Sequence, residues 1–251
     1  MATDSSSELY DINFVFDAPA HLESQRVVLR PFIPNLYGRN FYEQVCLYPQ
    51  VFHYLQFGPY STYDDFAQDL LENRLRKDPA WLLFAVFDKT QPAAGVNSGE
   101  YPGALAGCVA LVNSSVPKSA SEVGCIIIFP PFQRTHVASN AIGLLLNFTL
   151  NTPDVQEGAL GLRRVAWQAN ALNKASVGAA ERMGYKREAL MKWERVLPPR
   201  KEVIAGNGVA IRAGDAKPDH PGRNTVILGI TREDWENGVR EKVRELMDRD
   251  I

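Results

Sequence analysis

An α/β (α+β) fold, a mixed and mostly antiparallel central sheet of about seven strands flanked by helices, is predicted by three features of this 251-residue chain. Three apolar runs, Trp81 to Asp88, Gly103 to Asn113 and Glu122 to Phe129, follow one another with turn-rich breaks and no helix between them, which is the pattern of an antiparallel meander. The third run passes through a tight turn into Ala138, Ile142, Leu145, Leu146 and Thr149 at helical spacing. The next strand, Leu162 to Gln168, is therefore reached by a helical crossover and lies parallel to the strand before it.

Taken in chain order, Gln25 to Phe32 is the first strand, ending near Pro31 and Pro34, and a helix follows over Leu36 to Tyr48. Ser61-Thr62-Tyr63-Asp64 has the spacing of a capping box and precedes Phe66, Leu70, Leu71 and Leu75, so a second helix begins there and ends before Pro79. After the meander and the crossover, Asn170 to Met183 reads as a helix that Gly184-Tyr185 stops, with a strand to about Val196. Residues 198–223 are rich in Gly and Pro and aperiodic, hence a long loop insertion. Asn224 to Ile230 closes the sheet, and Thr231-Arg232-Glu233-Asp234 caps an extra C-terminal helix whose Trp235, Val239, Val243, Leu246 and Met247 form one apolar stripe.

With 45% hydrophobic residues the chain is expected to bury one core over residues 21–251, behind a flexible leader at 1–20. A net charge of -2 and no long run of like charge speak against a nucleic-acid partner. Cys46, Cys108 and Cys125 are odd in number and widely spaced, the usage of reduced thiols, and no apolar run approaches a membrane span. A cytoplasmic location with no membrane partner is the resulting expectation. His21, His53, His136 and His220 have no metal-ligand spacing, and no Cys-x-x-Cys, Gly-x-Ser-x-Gly or Gly-Lys-Ser/Thr motif occurs, so no metal is expected.

The turn Phe129-Pro130-Pro131-Phe132-Gln133-Arg134-Thr135-His136-Val137-Ala138-Ser139 joins a strand to a helix start. Such a turn leaves helical N–H groups unpaired at the positive end of the dipole, where a phosphate or pyrophosphate binds. Together with Glu122-Val123-Gly124, Asn173-Lys174-Ala175-Ser176 and Glu181-Arg182-Met183-Gly184-Tyr185, it resembles the GNAT superfamily of acyl-CoA N-acetyltransferases over roughly residues 25 to 235. Val27-Val28-Leu29-Arg30-Pro31-Phe32 and Thr231-Arg232-Glu233-Asp234-Trp235 look most like the branch that acetylates ribosomal-protein N-termini and assorted small amines.

The resemblance implies a GNAT fold and acetyl-CoA as co-substrate, its pantetheine arm along Cys125 to Phe129, with Ile126, Ile127, Ile128 and Phe129 as contacts. It places the pyrophosphate on Gln133, Arg134, Thr135, His136, Val137, Ala138 and Ser139, with further cofactor contacts at Asn173 and Ser176. His136 stands where the family pattern has its first Gly; a phosphate or adenine contact and a solvated turn residue are its two readings. Glu122 matches the family's Glu, with the two readings of general base and structural or substrate-binding rim carboxylate. Position 180 is Ala where many relatives carry Tyr, which leaves Ser176 to donate to the departing sulfur or simply to pack in its helix.

Cys125 reads as a packing thiol, and Asn173 doubles as a helix N-cap. Of Tyr37, Phe41, Tyr42, Phe52, Tyr54, Phe57 and Tyr60, most are expected in the core with a few walling an acceptor pocket. The expected reaction is acetyl transfer to the primary amine of a small molecule by direct attack in a ternary complex, in a monomer or homodimer. A protein N-terminus as acceptor, and a non-catalytic acyl-CoA-binding protein, are the alternatives.

Overall fold

The computed structural model describes residues 10–95, 98–199, 201 and 205–249. Its eight strands are β1 (Leu22–Glu23), β2 (Val27–Pro31), β3 (Leu82–Asp88), β4 (Ala104–Ser115), β5 (Ala120–Ile128), β6 (Arg164–Asn170), β7 (Lys186–Val196) and β8 (Gly222–Thr231). They form one sheet in the order β1-β2-β3-β4-β5-β6-β8-β7. Every described pairing is antiparallel except β5 with β6, which the α3 crossover (His136–Leu150) makes parallel. The eighth strand is β1, whose two residues are too short to carry an alternating pattern.

Side-chain alternation divides the core into two clusters, one on each face of the sheet. Leu29, Val86, Val109, Leu111, Val123, Val165 and Trp167 face α3 and α4 (Lys174–Arg182). Val28, Ala85, Phe87, Cys108, Ala110 and Val112 face the opposite way, onto α1 (Arg39–Leu47) and the helix that starts as α2 (Tyr63–Phe66) and winds on through Ala67–Arg76. Opposite partners share a face, so the pairs Val112–Glu122, Glu122–Ala166, Gln168–Ile227 and Arg195–Arg223 lie on the α1/α2 side. This parity decides which residues can meet in the site.

Four expected boundaries move, each for a local reason. The cap of the second helix is Thr62, accepting from the Asp65 N–H at 3.1 Å, one residue beyond Ser61. The α3 helix begins at His136 instead of Ala138 because the Thr135 side chain caps it through Val137. The α4 helix begins at Lys174, since Asn170 still belongs to β6 and Asn173 is the cap. The C-terminal helix is broken: Thr231 and Asp234 form a full capping box, but Asn237 and Gly238 leave helical angles before α5 (Arg240–Asp248). The apolar stripe survives the break, and α5 lies so close to α3 that a Cβ on Gly143 would meet Met247 Sδ at 2.3 Å.

Residues 1–9 of the expected leader lie outside the described residues. Its remainder is docked, with Val15 N–H bonded to the Pro79 carbonyl at 2.8 Å and Ile12 and Phe14 against the core. Within the 198–223 insertion, residues 200 and 202–204 lie outside the described residues. The rest is tied to the body by Lys201, 8% exposed, whose Nζ donates to the carbonyls of Phe52 (2.8 Å), Leu55 (2.6 Å) and Phe57 (3.1 Å). Ala205 accepts from Asn170 Nδ2 at 2.8 Å.

Candidate active site

Strands β5 and β6 pair over three positions only, Ala120, Ser121 and Glu122 with Arg164, Val165 and Ala166. Beyond them the two strands part, and a cleft of about 670 Å³ opens between Val123–Ile128 on one wall and Trp167–Asn170 on the other. The parting coincides with a bulge. Against β4, Ala110 pairs with Gly124 and Cys108 with Ile127, so one extra β5 residue is accommodated, with Cys125 at φ 48°. The backbone crosses closely here: a Cβ on Gly107 would sit 1.9 Å from the Ile127 carbonyl oxygen, so only glycine fits opposite the bulge. A bulged strand has main-chain groups released from its ladder, and the bulged residues Gly124 to Ile127 all line the cleft.

At the far end of β5, Phe129 and the Pro130–Phe132 turn lead to Gln133, whose Nε2 donates to the Ile128 carbonyl at 2.8 Å. Arg134 then takes the left-handed conformation, φ 63°, and Thr135 Oγ1 receives the Val137 N–H at 3.3 Å. Helix geometry leaves the N–H groups of Thr135, His136 and Ala138 without an intrahelical acceptor. Gln133, Arg134, Thr135, Ala138, Ser139 and Ile142 line the cleft, and Arg182 and Arg249 add guanidinium groups to it. Main chain, helix dipole and arginines together fit an anionic, phosphate-bearing ligand.

Not all the expected contacts share this cleft. Ile126, Ile127, Ile128, Asn173 and Ser176 line it with the turn residues just named. Phe129 does not: fully buried, its ring lies tilted against Phe41, centroids 5.3 Å apart, in the α1/α2 core. Val137 is equally buried on the other face. His136 turns away as well, its Nε2 3.1 Å from Asp88 Oδ1, which also accepts from the Thr90 N–H and hydroxyl. The imidazole is thus neither solvated nor in the cleft, and the left-handed position that favours glycine belongs to Arg134.

On α4, Asn173 Oδ1 caps the Ser176 N–H at 3.1 Å, and the Trp167 indole donates to Ser176 Oγ at 3.1 Å. With its lone pair taken by Trp167, the hydroxyl keeps its own proton to give. Of the seven aromatics expected around an acceptor, only Tyr54 is among the lining residues, beside Gln50, Val51 and Leu55; Phe41, Phe52 and Phe57 are core. Cys125 lines the cleft at the bulge and packs on the α1/α2 cluster.

Glu122 sits where β5 and β6 still pair, behind the opening, 6% exposed and outside the cleft lining. Its Oε2 accepts from Asn113 Nδ2 at 2.8 Å. Burial pushes its carboxyl above the usual range, against the Asn113 bond and the charges of Arg195 and Arg223. Tyr185, which packs edge-on against Trp167 at 5.4 Å, holds a buried hydroxyl with no partner among the described residues; burial pushes it up, and the Glu122 charge adds to this. Arg223, Gln168 and Arg249 line the cleft with nothing but isolated polarity to mark them in the sequence, and Arg182 lies in the Glu181–Tyr185 motif without a role assigned to it there. No group of three or more potential metal ligands occurs among the described residues.

The model of the Acetyltransferase (GNAT) domain matches residues 26–186. This chain belongs to the GNAT acetyltransferase family. Among solved structures, a GCN5-related N-acetyltransferase from Brucella melitensis aligns with a TM-score of 0.67 at 23% identity, covering 89% of this chain and 83% of that one. A probable GNAT-family acetyltransferase from Chromobacterium violaceum aligns with a TM-score of 0.67 at 18% identity, over 94% and 97%. The spermidine N-acetyltransferase from Vibrio cholerae in complex with CoA and spermine aligns with a TM-score of 0.57 at 16% identity, over 85% and 100%. No curated protein matches. The protein is thus a GNAT-type acyltransferase, the family whose members use acetyl-CoA.

Proposed function

We propose that this acetyltransferase transfers the acetyl group of acetyl-CoA to the primary amine of a small molecule by direct attack in a ternary complex. The observation that carries the reading is the parting of β5 from β6 at a bulge, which leads a groove of main-chain groups to the open N-terminus of α3. In this reading the amides of Arg134 to Ser139 hold the pyrophosphate and Cys125 to Ile128 lie along the pantetheine arm. Phe129 and Val137 shape the turn from within the core.

The amine must lose a proton before its nitrogen can bond to the thioester carbon, and the C–S bond then breaks to release a thiolate. Glu122 takes that proton through water, since the carboxylate lies behind the cleft wall, and its raised affinity for protons suits a base working near neutral pH. Ser176 donates a hydrogen bond to the departing sulfur, which takes its proton from the water that carried away the amine's proton; Trp167 holds the Ser176 oxygen in place. Incubating the protein with acetyl-CoA and a panel of primary amines, with thiol release as the readout, tests the reading. Turnover of at least one amine is expected, and none above the enzyme-free rate would contradict it.

The small-molecule reading is supported over the ribosomal-type one by the 198–223 insertion, a strap at the acceptor end: Lys201 ties it to carbonyls of the Phe52–Phe57 segment and Ala205 to Asn170, and Leu55 and Asn170 both line the cleft. A non-catalytic acyl-CoA-binding protein is supported by His136 at the family's Gly position and by Ala180 where many relatives carry Tyr. With the imidazole held on Asp88, the histidine leaves the turn open.

A further inference from the structure

We propose that Arg223 is an anion-binding residue of the acceptor half of the cleft, and that the acceptor is an amine carrying a carboxylate. The inference rests on the acetyl-transfer reading above and names its substrate class. Arg223 lines the cleft while only 6% exposed, and its Nε is sealed from solvent with no acceptor. Among the described residues no group accepts a hydrogen bond from its guanidinium. A buried guanidinium donor without an acceptor is costly unless a hydrogen-bonding anion reaches it.

The neighbours that might have satisfied it are engaged elsewhere. Glu194 Oε2 accepts from Arg195 Nε and from Thr225 Oγ1, both at 2.8 Å. Glu122 Oε2 accepts from Asn113. Arg195 is itself held, by Gln56 Oε1 at 2.6 Å and Gln168 Oε1 at 3.3 Å. Burial, with the like charge of Arg195, pulls the Arg223 pKa down to about 10, against the charges of Glu194 and Glu122, so the group stays cationic at neutral pH while its Nε lacks an acceptor.

Position excludes the phosphates as its partner. Arg223 shares its face of the sheet with Glu122 and Gln168, the α1/α2 side, whereas the open N-terminus of α3 lies on the other. An amine that bonds its carboxylate to the planar Arg223 fork would have its ammonium within the same compartment as Glu122. A polycation would meet Arg223 and Arg195 instead, so the acceptor differs in charge from the polyamine bound in the Vibrio cholerae structure.

The test is calorimetric titration of the CoA-loaded protein with matched pairs: glycine and glycinamide, β-alanine and β-alaninamide, γ-aminobutyrate and its amide, with spermidine as the polycation. At least one acid is expected to bind about ten- to a hundredfold more tightly than its amide, as a charge-assisted pair does. That ratio falls toward one in Arg223→Gln and is partly kept in Arg223→Lys. Amides or spermidine binding as well as the acids, no binding by any acid, or a ratio unchanged in Arg223→Gln would overturn the inference. If Arg223→Gln fails to fold, the wild-type acid-to-amide ratio decides. Failure of CoA itself to bind would instead overturn the acetyl-transfer reading, which keeps the two distinguishable.

Discussion

The two ends of the cleft are built from different material. At the α3 end the ligand-facing groups are main-chain amides of one continuous turn, which Thr135 and Gln133 shape by local bonds and His136 by its bond to Asp88. At the acceptor end the groups are side chains of β5, β6, β8 and the Gln50–Leu55 segment, brought together by sheet pairing and by Lys201. A turn of amides recognises whatever carries phosphate and tolerates changes of side chain. A compartment of side chains discriminates between substrates, and each member depends on its neighbours.

Substitutions at the two ends should therefore behave differently, and the largest effect is expected behind the acceptor end. Glu122→Gln should lower kcat by about 10²- to 10⁴-fold with CoA affinity unchanged. Because its folded pKa is raised, the wild-type rate should rise with pH above the ordinary carboxylate range, a rise the variant loses. Stability has the opposite sign: the folded protein binds more protons here than the unfolded one, so stability falls as pH rises through that window, and Glu122→Gln flattens the fall in a melting series. An unchanged rate profile would remove Glu122 as the base.

A negative charge at the other end comes next. Ser139→Glu suits a helix start and should leave the melting temperature intact or raised, while weakening CoA binding by about ten- to a hundredfold in calorimetry. Equal affinity would show that the phosphates lie elsewhere. Lys201→Met removes three bonds to carbonyls and should destabilise the protein by about 1 to 3 kcal/mol in denaturant melts, raising acceptor KM more than CoA KM. An equal rise in both would contradict the placing of the strap at the acceptor end.

Arg134→Gly should have the smallest effect. Relief of the left-handed strain stabilises the fold by about 1 kcal/mol, and CoA affinity falls only a few-fold, since the amide remains. A loss as large as that of Ser139→Glu would mean that the guanidinium, not the main chain, holds the ligand.

The same contrast explains what could be read from the sequence. The meander, the parallel crossover and the turn from β5 into α3 were legible because each is a local pattern of apolar period and turn chemistry. So were the cleft contacts at Ile126 to Ile128 and at Gln133 to Ser139, apart from Val137 and His136. His136 pairs with Asp88, a partner 48 residues away that no spacing announces. The resemblance makes Phe129 a cofactor contact, but the turn of Pro130 folds its ring inward onto Phe41. Arg223 and Gln168 reach the cleft only through strand pairing, and the register of β6, β7 and β8 that brings them there is not written in any local pattern. The Asn170 helix start and the unbroken last helix failed because capping by Asn173 and left-handed Gly238 are backbone decisions that apolar period does not record.

Hydrogen exchange read by mass spectrometry on the wild-type chain, with and without CoA, tests the division of the cleft most directly. Slowed exchange is expected in peptides covering Cys125–Ile128 and Arg134–Ser139, with residues 222–225 unchanged until an acceptor is added. Protection confined to 222–225, or none at the turn with CoA saturating by calorimetry, would contradict it.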